Sequence, residues 1–240
     1  MIFGLLRFVA IVVTLVGLLV CAVMHFPTRW VFRILVRLFH MKEPIVHGST
    51  DPSARVVVFN HPSHMEQMLL PLVFDNISGL VRDMTKRAPM LVPLHRALDC
   101  VMVPKEGGKN TTQRIIEKLA QHTRPIAIAT SVLDTPNDVN FAGVIPGYPM
   151  PKKCPTIPYR LGQKVQPVVI LYEGFDIVPC SVSKVFLYLF CQMKPVQPYV
   201  VLLPIVDPAD FSSPEECMRH VRDEMSHALK THWPHIISKQ

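Results

Sequence analysis

The sequence predicts an α/β fold: a mostly parallel sheet flanked by helices, preceded by an N-terminal membrane-bound helical anchor. Three features predict it. Short runs that are apolar at every position recur along the chain, helix-period stretches separate them, and an uncharged apolar run from Phe8 to Met24 precedes them all. A strand apolar on both faces must be covered on both, as crossover helices do for a parallel sheet. The 240 residues are 49% hydrophobic and only 18% charged, which excludes intrinsic disorder. The net charge of +7 suits an anionic lipid surface or a phosphorylated ligand. No nucleic-acid-binding motif accompanies it.

The first element, FVAIVVTLVGLLVCAVM, nearly spans a hydrocarbon core of roughly 30 Å as a helix. A signal peptide is the alternative, but no small-x-small cleavage site follows, and Val20 is too bulky before Cys21 for lipoprotein processing. Pro27 ends this helix, and TRWVFRILVRLFHMK begins another. Arg29, Arg33 and Arg37 form its basic stripe, while Val31, Ile34, Leu35 and Leu38 lie opposite, as in a helix lying in the membrane interface. An ordinary core-packing helix would show the same pattern. The expected division is residues 1–43 as anchor and 44–240 as the α/β domain. Basic residues just after the hydrophobic run place the rest of the chain on the cytoplasmic side of the membrane, with this single N-terminal anchor. The sequons Asn76-Ile77-Ser78 and Asn110-Thr111-Thr112 are then expected to carry no glycan.

Beyond Pro44, strands are expected at Val56 to Phe59, Cys100 to Val103, Ile126 to Ala129, Val168 to Leu171 and Val200 to Ile205. Helices are expected over about 63–75, 111–122 and 213–231. The last is best marked: Ser213 as N-cap, Pro214 at N1, Glu216 completing a capping box, and Met218, Val221, Met225 and Ala228 as the buried stripe. The proline-rich stretch from about Thr130 to Gln166 shows no period, and irregular connections of that length are usually functional or disordered. The six cysteines have neither disulfide-framework nor metal-ligand spacing, consistent with a reducing compartment.

Several catalytic templates are missing: GxSxG, HExxH, and GxGxxG after a strand. The informative stretch is ARVVVFNHPSHMEQMLLPL, where a buried strand runs into Asn60-His61 and then a helix opening near Ser63. Ligands of open α/β sheets bind at such carboxyl ends. Glu66 lies five residues after His61, so its carboxylate could take the ring N–H, fix the tautomer and make His61 a general base. Equally, Ser63-x-x-Glu66 is a capping box, and Glu66 could serve only the helix start.

These residues resemble the NHxxxxD block of the glycerolipid (lysophospholipid and glycerol-phosphate) acyltransferases, with Glu66 where that family has aspartate. The likeness runs from about residue 1 to 230. The family's second block, GxxFxxR, is matched in spacing by Asp99 to Lys105, with Asp99 for the glycine and Lys105 for the arginine. The third, FPEGTR, is missing: after Ile128 the chain reads Ala129-Thr130-Ser131, with Ser131 at the glutamate position. The fourth, an apolar strand opening with proline, is matched by Pro167-Val168-Val169-Ile170.

The resemblance implies acyl transfer from acyl-CoA, as co-substrate, to a lysophospholipid or glycerol-phosphate hydroxyl. It makes membrane lipid and acyl-CoA the partners and requires neither cofactor nor metal. His61 and Glu66 are the implied catalytic pair. Lys105, Arg160 and Ser63 are the implied substrate-binding residues, and Lys152 and Lys153 are candidates for coenzyme A phosphates. Since aspartate is the family's residue, Glu66→Asp is expected to be as active or more so. The competing reading is a membrane-associated pseudoenzyme that keeps the fold to bind lipid or protein, motivated by Ser131 and Lys105. A hydrolase using His64 with a serine has no elbow motif behind it.

Overall fold

Four of the five all-apolar runs occupy adjacent inner strands, and Cys100 to Val103 an edge, of one seven-stranded sheet in the computed structural model, which describes residues 2–23, 29–61, 63, 65–82, 95, 99–103, 111–130, 157–174 and 182–232. The strands are β1 (Ile45–His47), β2 (Val56–Asn60), β3 (Ser78–Arg82), β4 (Val101–Val103), β5 (Ile126–Thr130), β6 (Val165–Glu173) and β7 (Gln197–Leu202). Their order across the sheet is β1-β7-β6-β2-β5-β3-β4, and every neighbouring pair is parallel except β6 with β7. The expected mostly parallel sheet is therefore what forms. β2 lies between β6 and β5 with all its residues buried, which is why its sequence is apolar without alternation.

Helices cover both faces: α1 (Ile2–Val23), α2 (Arg29–Leu38), α3 (Glu66–Val73), α4 (Thr111–Ala120), α5 (Ile157–Leu161), α6 (Val182–Cys191) and α7 (Pro214–His232). The period of two along the strands divides the core accordingly. Val57, Phe59, Val168, Ile170 and Tyr172 pack with Ile11, Leu35, Leu69 and Leu189 from α1, α2, α3 and α6. Val56, Val58, Val169 and Leu171 pack the other way, with Ile115, Ile157, Val221 and Met225 from α4, α5 and α7.

Helix α7 carries the expected stripe, and Ser213 Oγ accepts the Glu216 N–H at 3.2 Å. Its capping box is displaced by one residue, because the Glu216 carboxylate accepts from the Ser212 N–H and hydroxyl instead of Ser213. Three other boundaries differ. β7 starts at Gln197, β6 starts at Val165, and α5 is regular structure inside the stretch expected to be irregular, of which 131–156 lie outside the described residues. β1 and β3 carry no apolar run that announces them, β1 being exposed throughout and β3 reading SGLVR, whereas α6 reads VSKVFLYLFC, an apolar run that the expected elements omit. Beyond β1, Gly48 has φ +86°, and a Cβ there would strike the Leu202 carbonyl of β7.

The N-terminal helices require a correction. Among the described residues no helix is long and apolar enough to cross a membrane, so the expected span is not shown. One side of α1 joins the protein core through Ile11, Phe8, Leu15 and Leu19, and Arg7 donates to the Gln192 carbonyl at 3.2 Å. The other side leaves Leu5, Leu6, Val9, Val12, Val13, Val16 and Val20 exposed. Helix α2 packs Val31, Phe32, Leu35 and Val36 into the core, while Trp30 and Ile34 stay exposed. Its arginines have protein partners: Arg29 donates to Asp75 and to the Leu72 carbonyl, and Arg33 and Arg37 pair with Glu43.

Candidate active site

The central strand ends by handing its pairing to a side chain. β2 pairs with β6 in parallel up to Phe59 and Val168. Asn60 then continues that pairing through its amide: Nδ2 donates to the Ile170 carbonyl at 2.8 Å, and Oδ1 accepts the Ile170 N–H at 2.7 Å. Its backbone meanwhile pairs with Thr130 of β5. Asn60 is therefore a buried two-way clamp. The clamp fixes where the next residue, His61, leaves the sheet. The His61 ring also stands edge-on to Phe59, at a centroid distance of 6.2 Å.

Helix α3 opens at Glu66, three residues later than expected, and Glu66 has no exposed area. The expected capping box does not form. Ser63 is fully buried, and its Oγ accepts the Met65 N–H at 3.2 Å, closing a tight turn. Freed from that duty, Glu66 reaches back to the strand. Its Oε2 lies 2.7 Å from His61 Nδ1, and its Oε1 accepts the Tyr172 hydroxyl at 2.7 Å. A carboxylate can only accept, so Nδ1 carries the shared proton and Nε2 is the basic nitrogen of the ring. The His61 side chain keeps 23% of its surface exposed while the acid behind it has none. An acid sequestered behind a reachable imidazole is the arrangement a general base requires.

Tyr172, on β6, went unnoticed at the sequence level. Its signal was a lone hydroxyl in an otherwise aliphatic strand, VQPVVILYE. Burial first, and then the charge of Glu66, push its phenol well above the ordinary range, so it remains a donor. The dyad lies on the sheet face that carries α1, α2, α3 and α6, the same side as the exposed apolar surface of α1.

Arg160 is exposed on α5, a helix of the opposite face that precedes the start of β6, so it is not brought to the dyad. Since β6 runs parallel to β2, that start lies at the other end of the sheet from His61. Ser63 serves the turn described above. Lys105, Ser131, Lys152 and Lys153 lie outside the described residues. The turn that opens the second block is described. Asp99 has φ +59°, the backbone region that glycine adopts freely and aspartate tolerates. That turn is held by the Ser78 hydroxyl, which donates to the Asp99 carbonyl, and by His122 Nε2, 3.1 Å from the Asp99 carboxylate. Cys100, Cys191 and Cys217 are unbridged.

No protein-family model matches the sequence, and no curated protein matches it. Among solved structures the chain is similar to the crystal structure of the 1-acyl-sn-glycerophosphate (LPA) acyltransferase PlsC from Thermotoga maritima, with a TM-score of 0.66. The match covers 96% of this chain and 94% of that one at 18% identity. With its central strand ending in Asn60-His61 and that overall match, the chain carries a glycerolipid acyltransferase fold.

Proposed function

We propose that this protein is a membrane-bound glycerolipid O-acyltransferase that moves an acyl chain from acyl-CoA to the hydroxyl of a lysophospholipid or glycerol-phosphate acceptor. The 2.7 Å contact between His61 and a fully buried Glu66, at the end of the central strand, carries this reading. In the reaction, His61 Nε2 takes the proton of the acceptor hydroxyl as its oxygen attacks the thioester carbonyl. Glu66 stabilises the imidazolium that results. The tetrahedral oxyanion collapses, the carbon–sulfur bond breaks, and the departing thiolate recovers the proton from His61. The developing oxyanion is assigned to the N–H groups opening α3, where the helix dipole favours negative charge. Lys105 is proposed for the acceptor phosphate, with Lys152 and Lys153 for the phosphates of coenzyme A; Arg160 is withdrawn from that role.

The exposed apolar face of α1 supports the membrane attachment in this reading, which suits an acceptor and an acyl donor that both partition to the bilayer surface. In this account α1 beds its bare face into the cytoplasmic leaflet while its other face stays on the domain. The test is acyl transfer from radiolabelled acyl-CoA to a panel of lysophospholipids and glycerol 3-phosphate, native chain against His61→Ala. An acyl carrier protein thioester runs beside it as alternative donor. Removing the base lowers turnover roughly 10²–10⁴-fold, and turnover unchanged in His61→Ala would falsify the dyad. One observation favours a pseudoenzyme: β5 ends in Thr130 beside Asn60, where the family's third block would follow. A native chain that binds the acceptors and acylates none of them decides for that reading.

A further inference from the structure

We propose that Tyr172 is a positioning residue of the His61–Glu66 pair, its phenol holding the glutamate carboxylate turned toward the imidazole. The inference rests on the reading of His61 as general base. Five bonded positions separate His61 from Glu66, and a glutamate has three side-chain torsions to fix. Its helix-start position also offers a rival conformation, the Ser63 capping box, which the sequence favours locally. What excludes that conformation is the second oxygen. Oε1 accepts the Tyr172 hydroxyl at 2.7 Å while Oε2 meets His61 at 2.7 Å, so both oxygens are engaged from two different strands. Rotation toward the cap would break both contacts.

A carboxylate with no exposed area also needs compensation for lost hydration, and the phenol supplies a neutral donor where a second cation would quench the base. His61 faces Glu66 from the end of β2 and Tyr172 from β6, while Tyr188 of α6 stands near Tyr172 and donates to the Phe39 carbonyl. Among the described residues, the arginines of α1 and α2 meet other partners: Arg7 meets Gln192, Arg29 meets Asp75 and Leu72, and Arg33 and Arg37 meet Glu43. The aspartate of the family pattern has a shorter arm. In this chain the extra methylene is what lets one carboxylate span both strand ends.

The experiment follows the ring of His61 itself. The full chain is labelled with 13C-histidine in detergent micelles, and the His61 signal is assigned by its loss in His61→Ala. Without the phenol donor the Glu66 carboxylate attracts the imidazole proton more strongly, so Tyr172→Phe moves the titration midpoint of His61 up by about 0.5–1 pH unit. With palmitoyl-CoA and 1-oleoyl lysophosphatidic acid, kcat falls roughly tenfold, KM is unchanged, and the acidic limb of kcat/KM moves with the midpoint. Fluorotyrosine at position 172 is a stronger donor and moves the midpoint down. That reversal of sign is outside the reach of a packing defect, and it also serves if the phenylalanine variant folds poorly. In a Glu66→Gln background neither substitution moves the midpoint. An identical midpoint in all three proteins, or a shift that persists in Glu66→Gln, overturns the inference. Failure of the base assignment is separate: it shows as turnover retained in His61→Ala, and the ring titration still reports on Tyr172.

Discussion

Glu66→Asp tests the geometry of the pair most sharply, because resemblance and structure expect opposite results. Resemblance alone expects activity equal to or above that of the native chain. The structure expects a loss. Removing one methylene withdraws the carboxylate by about 1.5 Å along the chain, whereas its two contacts are both 2.7 Å and come from different strands. With α3 in place, at most one of them survives, since a contact stretched beyond about 3.5 Å is no longer a hydrogen bond. If the His61 contact goes, transition-state stabilisation falls by about 1.5–3 kcal/mol, or roughly 10–150-fold in kcat. If the Tyr172 contact goes, the fold loses a hydrogen bond to a buried carboxylate, about 1.5–3 kcal/mol, and the missing methylene adds about 0.8 kcal/mol. For a chain of this size a loss near 3 kcal/mol lowers Tm by roughly 6–12 °C. Initial rates with radiolabelled acyl-CoA and scanning calorimetry on the same preparation separate the two outcomes. A variant with native turnover and native Tm would show that α3 moves freely enough to restore both contacts, and the argument from reach would fail.

Other expectations follow from the same coordinates. Asn60→Ala leaves the N–H and carbonyl of fully buried Ile170 without their side-chain partner, so denaturant unfolding should show a loss of about 2–5 kcal/mol; a loss below about 1 kcal/mol would mean that β6 pairs with backbone there. Gly48→Ala puts a Cβ against the Leu202 carbonyl at φ +86° and should cost at least about 1–2 kcal/mol by thermal melting, with no change in the His61 titration. Charging the bare face of α1 with Val13→Asp and Val16→Asp should lower sedimentation with phosphatidylcholine–phosphatidylglycerol vesicles at least about 100-fold while Tm holds, and undiminished binding would place the membrane contact elsewhere. The Asp51 and Glu216 carboxyls are held below their ordinary range, chiefly by hydrogen bonds from Ser53 and Ser212. A lowered folded value means their contribution is present at neutral pH and is lost as pH falls through the acidic range, so Glu216→Gln should flatten the acid side of the stability curve.

Much of the architecture was already legible before any coordinates. Val56 to Phe59 is apolar at every position because a central strand touches covered layers on both sides, and that requirement is written residue by residue. The stripe of α7, with Ser213 ahead of it, is legible for the same reason: neighbours three and four apart in sequence are neighbours in space. The histidine at a strand end is equally local. β1 and β3 were missed because three exposed residues and the short mixed run SGLVR carry no local signal, while the apolar run of α6, VFLYLFC, was legible and went unread.

The choice between cap and catalytic pair for Glu66 was open to local reasoning, since Ser63 and His61 are both within its reach along the chain. Tyr172, 106 residues away, separates them, and it arrives only because β6 lies beside β2 in the sheet. The same holds for Asn60 and Ile170, 110 residues apart. Crossover order also sent Arg160 to the other face and buried the apolar side of α2, although the spacing of its residues suits a membrane surface equally well. Periodicity reports how an element meets its surroundings, whereas the identity of those surroundings is set by strand order and helix placement, which no short window of sequence contains.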